Sequence, residues 1–89
     1  MSTASTDLVL VVDDDQSARE SLEALLQTQG FDVRTFPSAE AFLEVLDSLL
    51  QDSVHRRRCL VSDLRMPGMS GLDLQDALAR KGCSLPLIL

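Results

Sequence analysis

Apolar residues follow two alternating patterns along this chain. In one pattern they form short runs, over 8–12, 59–61 and 85–89, or alternate with polar residues, over 31–36. Continuous short runs are typical of strands covered on both faces, and alternation is typical of a strand nearer the edge of a sheet. This pattern therefore predicts four strands, with the second of them near a sheet edge.

In the other pattern apolar residues recur every three or four positions, which predicts three helices with one apolar stripe each. The first helix is expected to begin with a capping box of Ser17 and Glu20 and to end at Gly30. The second is expected to be capped by Ser38, and the third to span about 71–80. The stripes, all expected in the core, consist of Ala18, Leu22, Leu25, Leu26, Phe42, Leu43, Leu46, Leu49, Leu50, Leu74, Ala77 and Leu78.

Strands and helices alternate strictly in this prediction, which begins and ends with a strand. Such alternation indicates the α/β class, with a doubly wound parallel sheet and helices on both of its faces. Connections between parallel strands are right-handed, and this leaves few possible strand orders. In the flavodoxin-like order the first and third strands are neighbours, so their carboxyl ends meet at the point where ligands bind.

Acidic residues directly follow two of the predicted strands. Asp13, Asp14 and Asp15 come after the first strand, and Asp63 comes after the third. Taken alone, a run of three aspartates is more often a solvated turn, and Asp63 alone could be a turn or capping residue. If the two strands are parallel neighbours, however, Asp13, Asp14 and Asp63 are expected to share one pocket.

The segment that follows Asp63 predicts a turn and then a helix. Pro67 and Gly68 favour the turn, and Ser70 with Asp73 is expected to cap the third helix. A strand, a terminal carboxylate, a loop and a helix are the parts with which an open α/β sheet presents reactive groups. We therefore expect the reactive edge of this sheet to be the one that carries Asp63.

Length and composition limit the possible functions. The 89 residues, 45% of them hydrophobic, suffice for one small domain over 7–89, and residues 1–6 are expected to be a disordered tail. The net charge of −6 argues against nucleic-acid binding by this chain. No apolar run approaches the about 20 residues of a membrane span, so we expect a cytoplasmic protein with no membrane contact.

Cysteine and histidine are not expected to carry the chemistry. Cys59 and Cys83 are predicted to be buried reduced thiols, because the chain contains no cluster of cysteine and histidine at metal-ligand spacing. His55 lies in a polar loop flanked by arginines and is predicted to be an ordinary surface residue. The carboxylates remain as the candidate reactive groups.

Clustered carboxylates have a specific chemical use. They repel one another unless a cation joins them, and Mg²⁺ is a hard ion that prefers carboxylate oxygens and often bridges to phosphate. Once this charge is neutralised, a phosphoryl group can approach an aspartate, which acts as a nucleophile and forms an aspartyl phosphate. The predicted pocket is therefore suited to Mg²⁺ and to phosphoryl transfer.

Two acidic segments of the chain, considered together with the spacing between them, resemble a known family. The first segment is Val-Val-Asp-Asp-Asp at 11–15, and the second, at 62–74, contains Asp-Leu-Arg-Met-Pro-Gly. Together they resemble the receiver domain of two-component response regulators. Segments 19–22, 38–43 and 63–67 resemble the FixJ subfamily more closely than receivers at large.

This resemblance runs from about Leu8 to the end of the chain and implies a flavodoxin-like (CheY-like) fold. It implies a phosphorelay function in which Asp63 accepts a phosphoryl group from a sensor histidine kinase. It implies a Mg²⁺ site made of Asp13, Asp14, Asp63 and the backbone carbonyl of Arg65, with Asp14 the more direct ligand of the acidic pair. Such a domain is not an enzyme beyond self-phosphorylation and slow loss of the phosphoryl group.

Compared with the family pattern, the sequence stops at Leu89, inside the fourth strand. We expect the hydroxyl residue after that strand, the lysine after a fifth strand, the last two helices and a DNA-binding output domain to be absent. The expected product is an incomplete receiver with a complete metal site. Its fourth strand would be an unpaired edge, which favours marginal stability and self-association.

Two functions from different classes fit these observations. The first is a Mg²⁺-dependent phosphoacceptor, which requires Asp63. The second is a non-catalytic module that binds a kinase through its first helix or forms homo-oligomers through the fourth strand, with no need for metal or Asp63. A shortened gene product with no independent role is a third possibility.

Overall fold

The computed structural model of the protein describes residues 7–51, 57–63, 68–82 and 85–88. These residues form a four-stranded parallel sheet and three helices that alternate along the chain, as the apolar pattern predicted. The elements are β1 (Leu8–Val12), α1 (Gln16–Thr28), β2 (Asp32–Phe36), α2 (Ala39–Leu50), β3 (Arg58–Ser62), α3 (Gly71–Arg80) and β4 (Leu87–Ile88).

The sheet has the strand order β2-β1-β3-β4, which is the flavodoxin-like order. β1 lies between β2 and β3 and pairs with both in parallel, so that Val12 is opposite Phe36 on one side and Ser62 on the other. All five residues of β1 are buried, whereas β2 alternates between exposed and half-buried positions at the sheet edge. The predictions of β1 as a buried strand and of β2 as a strand nearer the sheet edge are therefore confirmed.

The helices divide between the two faces of the sheet for a topological reason. The chain crosses from β1 to β2 in one direction, and from β2 to β3 and from β3 to β4 in the other. Because such crossovers are right-handed, α1 lies on one face, and α2 and α3 lie on the opposite face. The buried core forms beneath α2 and α3 and contains Leu8, Leu10, Val12, Ala39, Phe42, Leu46, Leu49, Leu60, Leu74 and Leu78.

The stripe of α1 is less buried than the sequence predicted. None of its residues is buried, and Leu25 is 57% exposed. This difference follows from where the core lies: α1 packs against β1 and the edge strand β2, whereas the buried apolar cluster lies on the opposite face, beneath α2 and α3. The stripes of α2 and α3, by contrast, contribute Phe42, Leu46, Leu74 and Leu78 to the core.

The helix ends confirm two of the three predicted caps. The Ser38 hydroxyl accepts the Ala41 N–H at 3.1 Å, and Ser70 and Asp73 form a reciprocal capping box. The predicted capping box of Ser17 and Glu20 is wrong. α1 begins earlier, since the Asp15 carboxylate accepts the N–H groups of the first turn and is its N-cap.

Several predictions fall partly or wholly outside the described residues. These concern the tail over 1–6, Arg65, the loop residue His55 and the second cysteine, Cys83. Cys59 is a free thiol, as predicted, but it is half-buried rather than buried, because it lies on the part of the sheet that borders a cavity. Within the described ranges no helix combines the length and the apolar character that crossing a bilayer requires.

Candidate metal centre

The ends of three parallel strands bring the acidic residues together. The Asp13 N–H donates to the Phe36 carbonyl at 3.1 Å, and the Asp63 N–H donates to the Val12 carbonyl at 3.0 Å. These bonds extend the pairing of β1 with β2 and with β3 by one residue beyond the strands. As a result, the backbones of Asp13 and Asp63 lie side by side at the carboxyl edge of the sheet.

The side chains of Asp13, Asp14 and Asp63 converge at this edge, as predicted. Each offers a carboxylate oxygen, and these oxygens lie within 4.8 Å of one another. Asp13 is half-buried, while Asp14 and Asp63 are exposed and accessible to an incoming group. Three carboxylate oxygens at this separation can contact one cation together, and oxygen ligands suit Mg²⁺. The donor set therefore fits a magnesium ion.

Asp15, the third member of the aspartate run, has a different role. Its Oδ1 atom accepts the Ser17 N–H at 2.9 Å and the Ala18 N–H at 3.4 Å, at the start of α1. A carboxylate at a helix N-terminus satisfies N–H groups that have no partner inside the helix. Helix capping therefore explains why Asp15 does not join the acidic group.

The loop between β1 and α1 is held by hydrogen bonds on both sides of Asp13. The Asp15 N–H donates to Asp13 Oδ1 at 2.9 Å, which leaves the second oxygen of this carboxylate for other contacts. Arg19, from the first turns of α1, reaches back and donates from Nη1 to the Asp13 carbonyl at 2.8 Å. No chemical role was predicted for Arg19 from the sequence. The signal that could have found it is a cation six residues after the first aspartate of an acidic run.

The backbone of Asp63 is held by hydrogen bonds beside β3, and further along the chain Gly68 approaches α2. Ser62, which precedes it, is buried and donates its hydroxyl to the Asp63 carbonyl at 3.1 Å. Five residues later Gly68 adopts a positive φ of 79°. A Cβ atom at Gly68 would lie 3.1 Å from Glu40 Oε2, so the Glu40 side chain lies directly against Gly68. No role was predicted for Glu40 from the sequence.

The opposite edge of the sheet, where the strands begin, carries a separate cavity of about 660 Å³. Cys59 lines this cavity, and burial raises the pKa of its thiol. Asp7 and Arg57 also line it and form an ion pair at 3.0 Å. The carboxylate group and the thiol are therefore at opposite ends of the same strands.

Comparison with known proteins places these features in a family. Residues 9–89 match the model of the response regulator receiver domain. The transcriptional regulatory protein TdiR of Thauera aromatica is 44% identical over 97% of this chain, which covers 35% of TdiR. The transcriptional regulatory protein FixJ of Bradyrhizobium diazoefficiens is 37% identical over 91% of the chain, which covers 37% of FixJ. The chain thus spans about a third of the length of these curated relatives.

Solved structures show the same fold. The crystal structure of FixJ-N superposes with a TM-score of 0.77 and 39% identity over 90% of this chain and 59% of the other. The response regulator TrrA of Thermotoga maritima, solved in complex with Mg²⁺-BeF, gives a TM-score of 0.78 and 30% identity over 94% of this chain and 68% of TrrA. The family match over residues 9–89 includes the two segments that carry Asp13, Asp14 and Asp63.

Proposed function

Since the chain belongs to the family of response regulator receiver domains, we propose that it is a phosphoacceptor in the cytoplasm, with Asp63 as the residue that is phosphorylated. The observation that supports this most directly is the convergence of the Asp13, Asp14 and Asp63 carboxylates within 4.8 Å. The phosphoryl donor proposed here is the phosphohistidine of a sensor kinase. The signal output in a longer protein would lie outside this chain.

In the proposed reaction a carboxylate oxygen of Asp63 attacks the phosphorus of the donor. The new O–P bond forms as the N–P bond of the phosphohistidine breaks, and the electron pair of that bond stays on the imidazole nitrogen. Asp63 is exposed, so the donor can approach it from solvent. The Val12 carbonyl and the Ser62 hydroxyl hold its backbone, which places the nucleophile at a fixed point of the strand end.

Asp13 and Asp14 are proposed to hold a magnesium ion together with Asp63, and the backbone carbonyl of Arg65 to complete the protein ligands. The ion would supply positive charge that offsets the three carboxylates and the oxygens of the transferred group. The half-buried Asp13 is anchored by its own N–H and carbonyl, which suits a fixed ligand. The same site would release the phosphoryl group slowly, when water attacks phosphorus and Asp63 leaves as a carboxylate.

Intact-protein mass spectrometry tests this proposal after incubation with a small phosphodonor such as acetyl phosphate, with and without Mg²⁺. We expect a phosphoryl adduct on the wild-type chain that requires Mg²⁺ and is abolished in Asp63→Asn. Asp76→Asn is the matched control, because Asp76 is an exposed carboxylate on α3 that pairs with Arg80. An adduct that persists in Asp63→Asn, or no adduct on the folded wild-type chain, would contradict the proposal.

Exposed apolar residues favour a second candidate function, which is binding without phosphotransfer. Leu25 on α1 is 57% exposed and Ile88 on β4 is 55% exposed. α1 could dock on a kinase, and β4 could pair with a second copy of the chain. This function predicts that kinase binding and self-association survive Asp63→Asn and do not depend on Mg²⁺. Sedimentation analysis and kinase pull-down of the wild-type chain and Asp63→Asn, with and without Mg²⁺, distinguish this function from the first.

A further inference from the structure

Arg19 forms an unusual contact for a residue on the first turns of a helix. Its side chain turns back towards the strand that precedes the helix, and Nη1 donates to the Asp13 carbonyl at 2.8 Å in a half-buried position. A guanidinium is always charged, and its planar fork presents several donors in fixed directions. A charged donor makes a stronger hydrogen bond than a neutral one. The contact therefore holds the start of α1 to Asp13, the first of the three aspartates between β1 and α1.

This contact closes a set of restraints around Asp13. Its N–H is held by the Phe36 carbonyl of β2, and its Oδ1 accepts the Asp15 N–H. Arg19 holds the third group, the Asp13 carbonyl, which is also the start of the peptide bond to Asp14. Fixing that peptide plane limits the directions in which the Asp13 and Asp14 side chains can point.

The restraint matters because the loop carries like charges. The Asp13, Asp14 and Asp63 oxygens lie within 4.8 Å, and their mutual repulsion would drive the loop away from Asp63. A rigid donor on α1 opposes this movement. Groups that orient a metal ligand without touching the metal commonly change its metal affinity when they are removed.

We propose that Arg19 is a positioning residue for the acidic group: through the Asp13 carbonyl it holds Asp13 and Asp14 in place opposite Asp63. This inference rests on the proposed function, because it assigns Arg19 a role in the Mg²⁺ affinity of that site. In this role Arg19 is not itself a ligand of the metal or of the phosphoryl group. Its effect is transmitted by the backbone of the loop.

Positioning and simple electrostatics predict opposite signs for the loss of Arg19. A guanidinium near the site repels a divalent cation, so removing its charge alone would tighten Mg²⁺ binding. Removing the positional restraint would instead weaken binding, because the loop must be ordered again when the ion binds. The direction of the change therefore identifies the role.

The experiment is a titration of the metal-free protein with MgCl₂ by isothermal titration calorimetry, below the melting transition of every variant. We expect Arg19→Gln to bind Mg²⁺ about tenfold more weakly than the wild-type chain. Arg19→Lys, which keeps the charge but lacks the fork, should recover only part of that loss. Arg80→Gln removes the same charge from an exposed ion pair on α3 and should leave the affinity unchanged. Equal or tighter binding by Arg19→Gln would overturn the proposal.

Hydrogen exchange of the Asp15 N–H, which donates to Asp13 Oδ1, gives a second measurement that needs no metal. If the wild-type chain binds Mg²⁺, the titration decides the role of Arg19. If it does not, the proposed metal site fails, and the exchange rate decides instead. Faster exchange in Arg19→Gln than in the wild-type and Arg80→Gln chains would then support positioning of the loop, and an unchanged rate would overturn it.

Discussion

The two edges of this sheet are built from the same strands but gather charge in opposite ways. At the carboxyl edge, three carboxylates of like charge converge within 4.8 Å, and Arg19 binds the backbone beside them. At the amino edge, opposite charges pair, since Arg57 donates to the Asp7 carboxylate at 3.0 Å. The first arrangement gathers like charges, which a bound cation would offset, whereas in the second the charges of Asp7 and Arg57 offset each other.

The surroundings of the two edges differ as well. The amino edge borders the cavity of about 660 Å³, which is lined mainly by apolar groups such as Leu8, Phe31 and Leu85. At the carboxyl edge Asp14 and Asp63 face solvent. Because all strands of a parallel sheet run in the same direction, their carboxyl ends lie at one edge. Residues that are far apart in the sequence therefore meet at that edge. The edge proposed to accept the phosphoryl group is therefore the one where like charges converge, and not the one that borders the cavity.

The largest effect expected from this contrast is stabilisation by Mg²⁺. A ligand that binds only the folded state at a hundred times its dissociation constant adds about 2.7 kcal/mol to the free energy of unfolding. We expect the wild-type chain to gain stability in this way, and Asp14→Asn to lose most of the gain. Urea unfolding with and without MgCl₂ measures it. The control is Asp7→Asn at the amino edge, which should keep the stabilisation by Mg²⁺. Loss of that stabilisation in Asp7→Asn would contradict the contrast between the two edges.

A second test uses one glycine near each edge. Gly68 and Gly82 both adopt a positive φ, of 79° and 71°, which costs an alanine about 1–2 kcal/mol at either position. The Glu40 side chain 3.1 Å from the new Cβ would add little at Gly68, because its flexible end can move. We therefore expect Gly68→Ala and Gly82→Ala to lower the free energy of unfolding by similar amounts.

The two glycine variants should nevertheless differ in function. Gly68 belongs to the loop that leaves Asp63, whereas Gly82 lines the cavity at the amino edge. We expect only Gly68→Ala to slow phosphorylation by acetyl phosphate. Intact-mass measurements at matched stability monitor the reaction. A slower reaction in Gly82→Ala would mean that the two edges are coupled through the strands.

In the absence of metal, replacing an aspartate with asparagine should change the free energy of unfolding in opposite directions at the two edges. Both changes are smaller than those above. Asp14→Asn removes repulsion between like charges and should stabilise the chain by about 1 kcal/mol. Asp7→Asn removes the attraction to the exposed Arg57 and should destabilise it by roughly a few tenths of a kcal/mol. Thermal unfolding in the presence of a chelator measures both. If the two variants shift stability in the same direction, the contrast in charge is wrong.

The smallest effect concerns pH and the thiol at the amino edge. Burial raises the pKa of Cys59, so the folded chain keeps this proton to a higher pH than the unfolded chain does. The free energy of unfolding should therefore fall as pH rises above the ordinary thiol pKa of about 8.5, and should show no such change below it. Comparison with Cys59→Ala isolates the contribution. A variant with the same decline in stability would assign it to other groups.

Much of the fold could be predicted from the sequence, because its local signals are strong. Five consecutive apolar residues in β1, alternation in β2 and helical periodicity in α2 and α3 each reflect burial that the sheet later provides. Ser38 and the Ser70 capping box depend on contacts within a few residues, and the structure confirms both. The convergence of Asp13, Asp14 and Asp63 followed from strand order alone.

What the sequence could not determine are the choices between neighbouring groups that compete for one role. Whether Asp15 or Ser17 caps α1 depends on where the turn after β1 places each oxygen. The exposure of Leu25 follows from α1 lying over the edge strand. The contact of Arg19 with the Asp13 carbonyl and that of Glu40 with Gly68 join elements whose relative placement is set by packing. Periodicity and capping are local and can be inferred from the sequence, whereas contacts across elements exist only once the sheet and helices have assembled.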